Sequence, residues 1–312
     1  MKSKLLIAVA ILVLAGLGLW IGFTLLSSES VHLAPAWLLT PKGMYAGDTI
    51  LDPAISWSAD SKSLVLAASS RKTYKNWLLR WNVREKQLAR IGVGVSPNFT
   101  GNDTFLYLVP DSFRLMEHDL VAHRERMVCS GFRQVDFWSE ITSFSYLPEQ
   151  KAIGLRFAKF TRYPEAPRIM VDLKGKPLGK LPRATGSGVL DRSTGPDGLA
   201  VDICGDPASN EQALRIGNRE IARGSLGAVA WSPDGKVIAF ADSCDVKAVE
   251  PTGKNAVVVA RFDSAPEAFQ APYVCRLVWS PDSRYLAAIQ VVPNEAGADM
   301  MVYVLDMSKL KL

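Results

Sequence analysis

The chain of 312 residues is predicted to be all-β: a six-bladed β-propeller of four-stranded antiparallel blades, preceded by one transmembrane helix. Three observations predict it. The run Trp231-Ser232-Pro233-Asp234-Gly235 returns 48 residues later as Trp279-Ser280-Pro281-Asp282-Ser283, and Trp57-Ser58-Ala59-Asp60-Ser61 foreshadows both. Each copy is flanked by two short apolar runs, as in VAWSPDGKVIAF, which is the pattern of a hairpin inside a repeat. Ahead of the first copy, Leu5 to Leu26 is a stretch of 22 residues without a charge.

The turn chemistry accounts for the hairpin. Proline presets the φ of the first turn residue, aspartate bonds its own backbone, and Gly235 supplies the left-handed φ that re-enters the second strand. Ser283 stands where Gly235 stands, and Ala59 replaces the proline, so the period is a stronger signal than any single turn. Weaker copies occur at Ser96–Leu108, Phe144–Phe157 and Val189–Ile203. The six turn acids or amides, Asp60, Asn102, Glu149, Asp197, Asp234 and Asp282, are spaced by 42, 47, 48, 37 and 48 residues. Four short strands fit such a step.

The second hairpin of each unit is visible in NWLLRWNV with KQLARIG, in FRLMEHDL with HRERMVC, and in RIMVDLKGK with PLGKLPR. Inner strands pack on both faces and read as continuous apolar runs, whereas outer strands are half exposed and alternate. At these residues the chain resembles the TolB-like, WD-repeat-like family of β-propellers, whose units carry a Trp-Ser-Pro-Asp-Gly core followed by an apolar strand. The resemblance spans about residues 50 to 312 and is carried by Trp57, Asp60, Asp197, Trp231, Pro233, Asp234, Gly235, Trp279, Pro281 and Asp282. It implies six blades and a protein-interaction role. The motif tryptophans are expected to plug between adjacent blades, because large aromatics dominate cores.

The last unit is short. After Arg276–Trp279, Tyr285–Val292 and Met300–Asp306, only Met307–Leu312 remain. An open edge strand invites aggregation. A segment between Ala36 and Ile50 is therefore expected to supply the outer strand of the final blade. The resulting organisation is a cytoplasmic tail at 1–4, a signal-anchor helix at 5–26, a linker with the ring-closing strand at 27–49, and the propeller at 50–312.

At ~1.5 Å per residue the apolar stretch covers about 33 Å, enough for the hydrocarbon layer and longer than the apolar region of a cleaved signal. Lys2 and Lys4 precede it and no Lys or Arg follows until Lys42, which places the amino terminus in the cytoplasm and the ring outside it. Ala34-Pro35-Ala36 is the competing small-residue cleavage site. Gly18 and Gly22 have the spacing used in helix pairs, against the plainer reading of a lipid-facing anchor.

Cys129, Cys204, Cys244 and Cys275 are widely spaced and form no metal-binding pair. Two readings stand for them: a disulfide between Cys244 and Cys275 of adjacent blades, or buried free thiols. Charge is lopsided. Arg71 to Arg90 holds seven basic residues against Glu85, and Lys151 to Arg183 holds nine against Glu165 and Asp172. Arg71, Lys72, Lys75, Arg156, Lys159 and Arg162 make a candidate basic surface for an anionic partner or lipid headgroups, or else a solvated rim. No nucleic-acid motif accompanies these residues.

Material for catalysis is sparse. The histidines are His32, His118 and His123, and neither a Gly-x-Ser-x-Gly elbow nor a phosphate-binding loop occurs. Asn98 and Asn102 match the glycosylation pattern but read as turn chemistry. No cofactor is expected. Asp52, Asp136, Glu140 and Asp191 are the acids that strand order would bring to a channel mouth, and they support the rival reading of a calcium-assisted hydrolase or lactonase. A sensor ectodomain is a third reading, which the short segment Met1–Lys4 disfavours. The sequence reads best as a membrane-tethered, non-catalytic interaction module whose partner is a membrane protein or envelope-complex subunit.

Overall fold

The computed structural model describes residues 30–31, 33–34, 36–39, 49–70, 76–109, 114–130, 133–134, 137–138, 141–157, 168–180, 189–206, 211–262, 273–294, 297–310 and 312. The expected span at 5–26 lies outside them. Among the described residues no helix is long and apolar enough to cross a membrane.

Two short strands come first, β1 (Ser30–Val31) and β2 (Ala36–Leu39). Blade 1 is β3 (Thr49–Trp57), β4 (Ser63–Ser70), β5 (Asn76–Asn82) and β6 (Gln87–Val93). Blade 2 is β7 (Val95–Phe99), β8 (Thr104–Val109), β9 (Arg114–Asp119) and β10 (Arg124–Cys129), followed by a small hairpin of β11 (Arg133–Gln134) and β12 (Phe137–Trp138). Blade 3 is β13 (Ile141–Leu147), β14 (Ala152–Phe157), β15 (Arg168–Asp172) and β16 (Pro177–Lys180). Blade 4 is β17 (Val189–Thr194), β18 (Ala200–Cys204), β19 (Gln212–Ile216) and β20 (Arg219–Gly224). Blade 5 is β21 (Leu226–Trp231), β22 (Ile238–Asp242), β23 (Asp245–Val249) and β24 (Val257–Arg261). The last blade contains β25 (Tyr273–Trp279), β26 (Tyr285–Asn294) and β27 (Gly297–Asp306).

Among the described residues the blades form six sheets of four or five strands in a propeller-like arrangement, and the β11–β12 hairpin makes a seventh, two-stranded sheet. The place left empty in blade 6 is filled by β2, which pairs antiparallel with β27. One strand earlier, β1 adds to the outer edge of blade 5 as a parallel fifth strand, and Ala34 N donates to Val259 O at 2.8 Å. The amino-terminal segment thus bridges the rims of blades 5 and 6.

The core lies between blades, and strand periodicity explains how it is filled. In β8, Leu106 and Leu108 face blade 3 while Phe105 and Tyr107 face blade 1, so four consecutive residues are buried. In β22, Ile238 and Phe240 pack toward blade 4 and Ala239 and Ala241 toward blade 6. Outer strands such as β6 are mostly exposed or half-buried.

Blades 2 and 3 also meet at their outer edges. Gly175 has φ +80°, and a Cβ there would lie 2.2 Å from the Val128 carbonyl oxygen. Gly175→Ala is therefore expected to destabilise the ring by more than the ~1 kcal/mol of an ordinary glycine replacement, measured by thermal melting. A drop smaller than this would show that the two edges do not touch.

Candidate functional site

The first strands of the blades are neighbours in the run β17, β21, β25, β3, β7 and β13. Each breaks register with its hairpin partner near its start, between Leu51 and Ile55, Val95 and Asn98, Ile141 and Ser143, Val189 and Asp191, Leu226 and Val229, and Val274 and Arg276. Such bulges bend a strand and re-aim its side chains, here at one end of the axial wall in every blade. A cavity of about 470 Å³ opens on the wall of blades 4 to 6, lined by Leu190, Asp191, Ser193, Val229, Arg276 and Val278 among others.

Polar groups on this wall are used between blades. Asp191 Oδ2 accepts from Val229 N at 2.9 Å, and its Oδ1 accepts from Arg192 N at 2.9 Å. Ser193 Oγ accepts from Trp231 N at 2.8 Å, and Ser56 Oγ accepts from Phe99 N at 3.0 Å. Arg192 turns to Asp202, which accepts from its Nε at 2.5 Å and its Nη2 at 2.8 Å. The exposed Arg276 guanidinium gives the cavity a positive group that suits an anion. Among the described residues no group of three or more His, Cys, Asp or Glu is arranged to hold a metal ion.

The motif residues lie at the opposite end of the inner strands and in the turns that follow, and Trp231, Pro233 and Trp279 also line the cavity. Ser58, Ser232 and Ser280 are buried and donate to Asp60, Asp234 and Asp282 at 2.8, 2.7 and 2.6 Å. The same hydroxyls accept from Ser63, Val237 and Tyr285 backbone N–H groups, while each aspartate accepts from the amide two residues on. Pro233 and Pro281 occupy exposed turn positions. Trp57, Trp231 and Trp279 are buried between blades 6 and 1, 4 and 5, and 5 and 6. The Trp57 and Trp279 indoles donate to Val278 O and Ala230 O of the preceding blade at 3.1 and 3.0 Å. Trp231 instead bonds Gly235 O of its own turn, and its ring lies over Gly195, which replaces the motif serine in blade 4. Without that serine, Asp197 keeps the bond from Leu199 N at 3.1 Å.

Sequence reasoning missed a second layer. Ser61 and Ser283, both with φ near +60° (61° and 58°), accept through their Oγ atoms from Asp282 N and Asp234 N of the preceding blade at 2.9 and 3.0 Å. At Gly235 the preceding turn's Pro196 stands 3.1 Å from where a Cβ would lie, so a serine there would need the proline to shift by a few tenths of an ångström. The Ser/Gly difference is thus an inter-blade choice rather than a degenerate turn. Its signal was the serine itself, an unusual residue for positive φ.

Partial burial pushes the Asp60 and Asp234 carboxyls up, but the serine and backbone hydrogen bonds outweigh it and hold both below the ordinary 3.8. Depressed carboxylates stabilise the fold above their unfolded pKa and lose that contribution as pH falls through the folded value. Thermal midpoints are accordingly expected to fall as pH drops below 3.8. In Asp234→Asn the midpoint should start lower at neutral pH and fall less steeply. Parallel curves would sink the assignment.

Of the candidate acids, Asp191 is committed to backbone amides as described. Asp52 lies on β3 with its side chain outside the described residues, as do Asp136 and Glu140 altogether. Arg71, Lys72, Lys75, Lys159 and Arg162 are also outside, and of Arg156 only the backbone in β14 is described. All four cysteines are free thiols, which corrects the expected Cys244–Cys275 disulfide. The reason is strand alternation: Val274 packs toward blade 5, the blade of Cys244, so Cys275 packs on the blade 1 side. Burial raises the pKa of both thiols, with Asp245 adding to the rise at Cys244.

No protein-family model matches the chain, and no curated protein matches it. Solved structures do. Oligogalacturonate lyase from Vibrio parahaemolyticus superposes over 91% of this chain and 99% of its own, at 11% identity and TM-score 0.58. A gluconolactonase-type protein matches over 89% of this chain and 93% of its own, at 11% identity and TM-score 0.50. TolB from Acinetobacter baumannii matches over 86% of this chain and 56% of its own, at 14% identity and TM-score 0.38, too loosely to add weight. At such identities the first two show a shared propeller-like fold and nothing about activity.

Proposed function

We propose that this chain is a membrane-tethered, non-catalytic interaction module, its ring held outside the cytoplasm beside a membrane or envelope complex. The observation that supports it most is the engagement of Asp191, Ser193 and Ser56 in hydrogen bonds from blade to blade. Groups that a hydrolase would aim at substrate are spent on holding the ring rigid. The apolar stretch at 5–26 and the lysines before it supply tether and orientation. Tethering raises the local concentration of the ring, so its contacts with a partner can be individually weak.

The test is size separation of native membranes solubilised in mild detergent, with mass spectrometry. Full-length chain is expected to co-migrate with a stable set of membrane proteins. A solitary chain of monomer size overturns the proposal.

A calcium-assisted hydrolase or lactonase is the second reading, drawing on the axial cavity and on the lyase and gluconolactonase-type proteins of like fold. The two backbone amides on Asp191 weigh against it. Calcium and chelator are expected to leave the thermal midpoint unchanged, whereas a calcium site would raise it by mass action.

A further inference from the structure

The direction in which the chain enters the ring is set by β1. It runs parallel to β24, with Ser30 beside Val257 and Val31 beside Val258. In blade 5, β21 runs into the motif turn, β22 leads away from it, β23 returns, and β24 starts again from the motif-turn end. Ser30 therefore lies at the motif-turn end of the ring. β2 runs the same way, with Ala36 opposite Leu305 near that end and Leu39 opposite Val302 farther from it.

Only three residues separate Leu26, the last of the apolar stretch, from Ser30. At ~3.3–3.6 Å per residue the connection spans at most about 14 Å. A ring so attached has its motif-turn end held at the bilayer beside blade 5.

The same end has the chemistry of a headgroup-facing surface. Every blade contributes an exposed basic residue in or beside its turns there: Lys62, Arg124, Lys174, Arg219, Lys236 and Arg284. Lys62, Lys236 and Arg284 pair there with Asp60, Asp234 and Asp306 at 3.1, 3.3 and 3.9 Å, yet their side chains stay more than half exposed and within reach of headgroups. Two turn residues at this end are apolar and exposed, Val121 at 71% and Leu199 at 53%. Screening confines the attraction of such cations to roughly 8 Å at physiological salt, a distance the short tether brings within reach.

We propose that the motif-turn face of the ring lies against anionic lipid headgroups, leaving the opposite face for the protein partner. This inference rests on the tethered reading above. The opposite face is where β4 ends and β5 begins, and where β14 ends and β15 begins.

The test uses full-length chain in vesicles of phosphatidylethanolamine and phosphatidylglycerol that contain a phospholipid with a photoreactive headgroup. Adducts are mapped by mass spectrometry. They are expected on peptides around Val121, Leu199 and Lys236, severalfold above those around Ser243 and Glu211 at the other end. In the triple variant Lys62→Glu, Lys236→Glu, Arg284→Glu the chain should stay with the vesicles while these adducts fall severalfold. Release of the unmodified chain by alkaline carbonate would overturn the tether and this inference together. A retained chain with adducts equal at both ends, reversed, or unchanged in the triple variant would overturn this inference alone.

Discussion

Replacing Trp279 with alanine is expected to cost about 3–5 kcal/mol, the range for truncating a buried large aromatic. The side chain is 7% exposed and sits between blades 5 and 6, where the facing surface is built from Ala228, Ala230, Ala239, Ala241 and Ala248. Those small residues leave the volume that Trp279 fills. The substitution also leaves Ala230 O without the indole donor now 3.0 Å away. Total stability of a domain is typically about 5–15 kcal/mol, so this one change removes a large part of it. Equilibrium denaturation measures the loss, with Trp279→Phe as the partner variant. Phenylalanine keeps most of the apolar burial and forfeits the hydrogen bond, so it should fall between wild type and alanine. A loss below about 1 kcal/mol for alanine would mean that the blade 5–6 gap is not closed by this residue.

Deleting the chain through Leu39 is expected to have an effect at least as large, by opening the ring. The deletion removes the outer strand of blade 6 and exposes the backbone edge of β27, whose Val302, Val304 and Leu305 are fully buried. It also removes Leu39, packed at 5% exposure against blades 6 and 1. An unpaired apolar edge is a template for association between chains. The deleted protein should elute as soluble aggregate and lose protease resistance within β27. A second deletion that stops before Ser30 keeps both amino-terminal strands and should remain monodisperse. Equal behaviour of the two would show that closure by β2 contributes little.

How much of this was readable beforehand differs from residue to residue. The turns at Asp60, Asp234 and Asp282 are legible because their hydrogen bonds join residues two to five apart, within reach of a short window of sequence. The exposed pattern of β6 against the buried β8 is legible for the same reason, since a strand's two faces alternate in the chain itself.

The axial site was less legible. Asp191 reads as an acid near a channel mouth, yet its role depends on Val229, 38 residues away. Ser61 reads as a turn residue, and its partner Asp282 N lies 221 residues away. The disulfide expected at Cys244 and Cys275 depended on a turn of blade 5 meeting a strand of blade 6, and Cys275, at the bulge before Arg276, packs toward blade 1 instead.

By itself, then, the sequence determined the repeat, the hairpin within each unit and the buried tryptophans as apolar anchors. Those features follow from local turn chemistry and from period-two alternation, which act over a few residues. The tertiary structure alone decided that Ser61 and Ser283 latch neighbouring turns, that Gly195 makes room for Trp231, and that the amino-terminal segment enters from the motif-turn end across blades 5 and 6. Each of these depends on the distance between residues far apart in the chain, which only the packing of blade on blade sets.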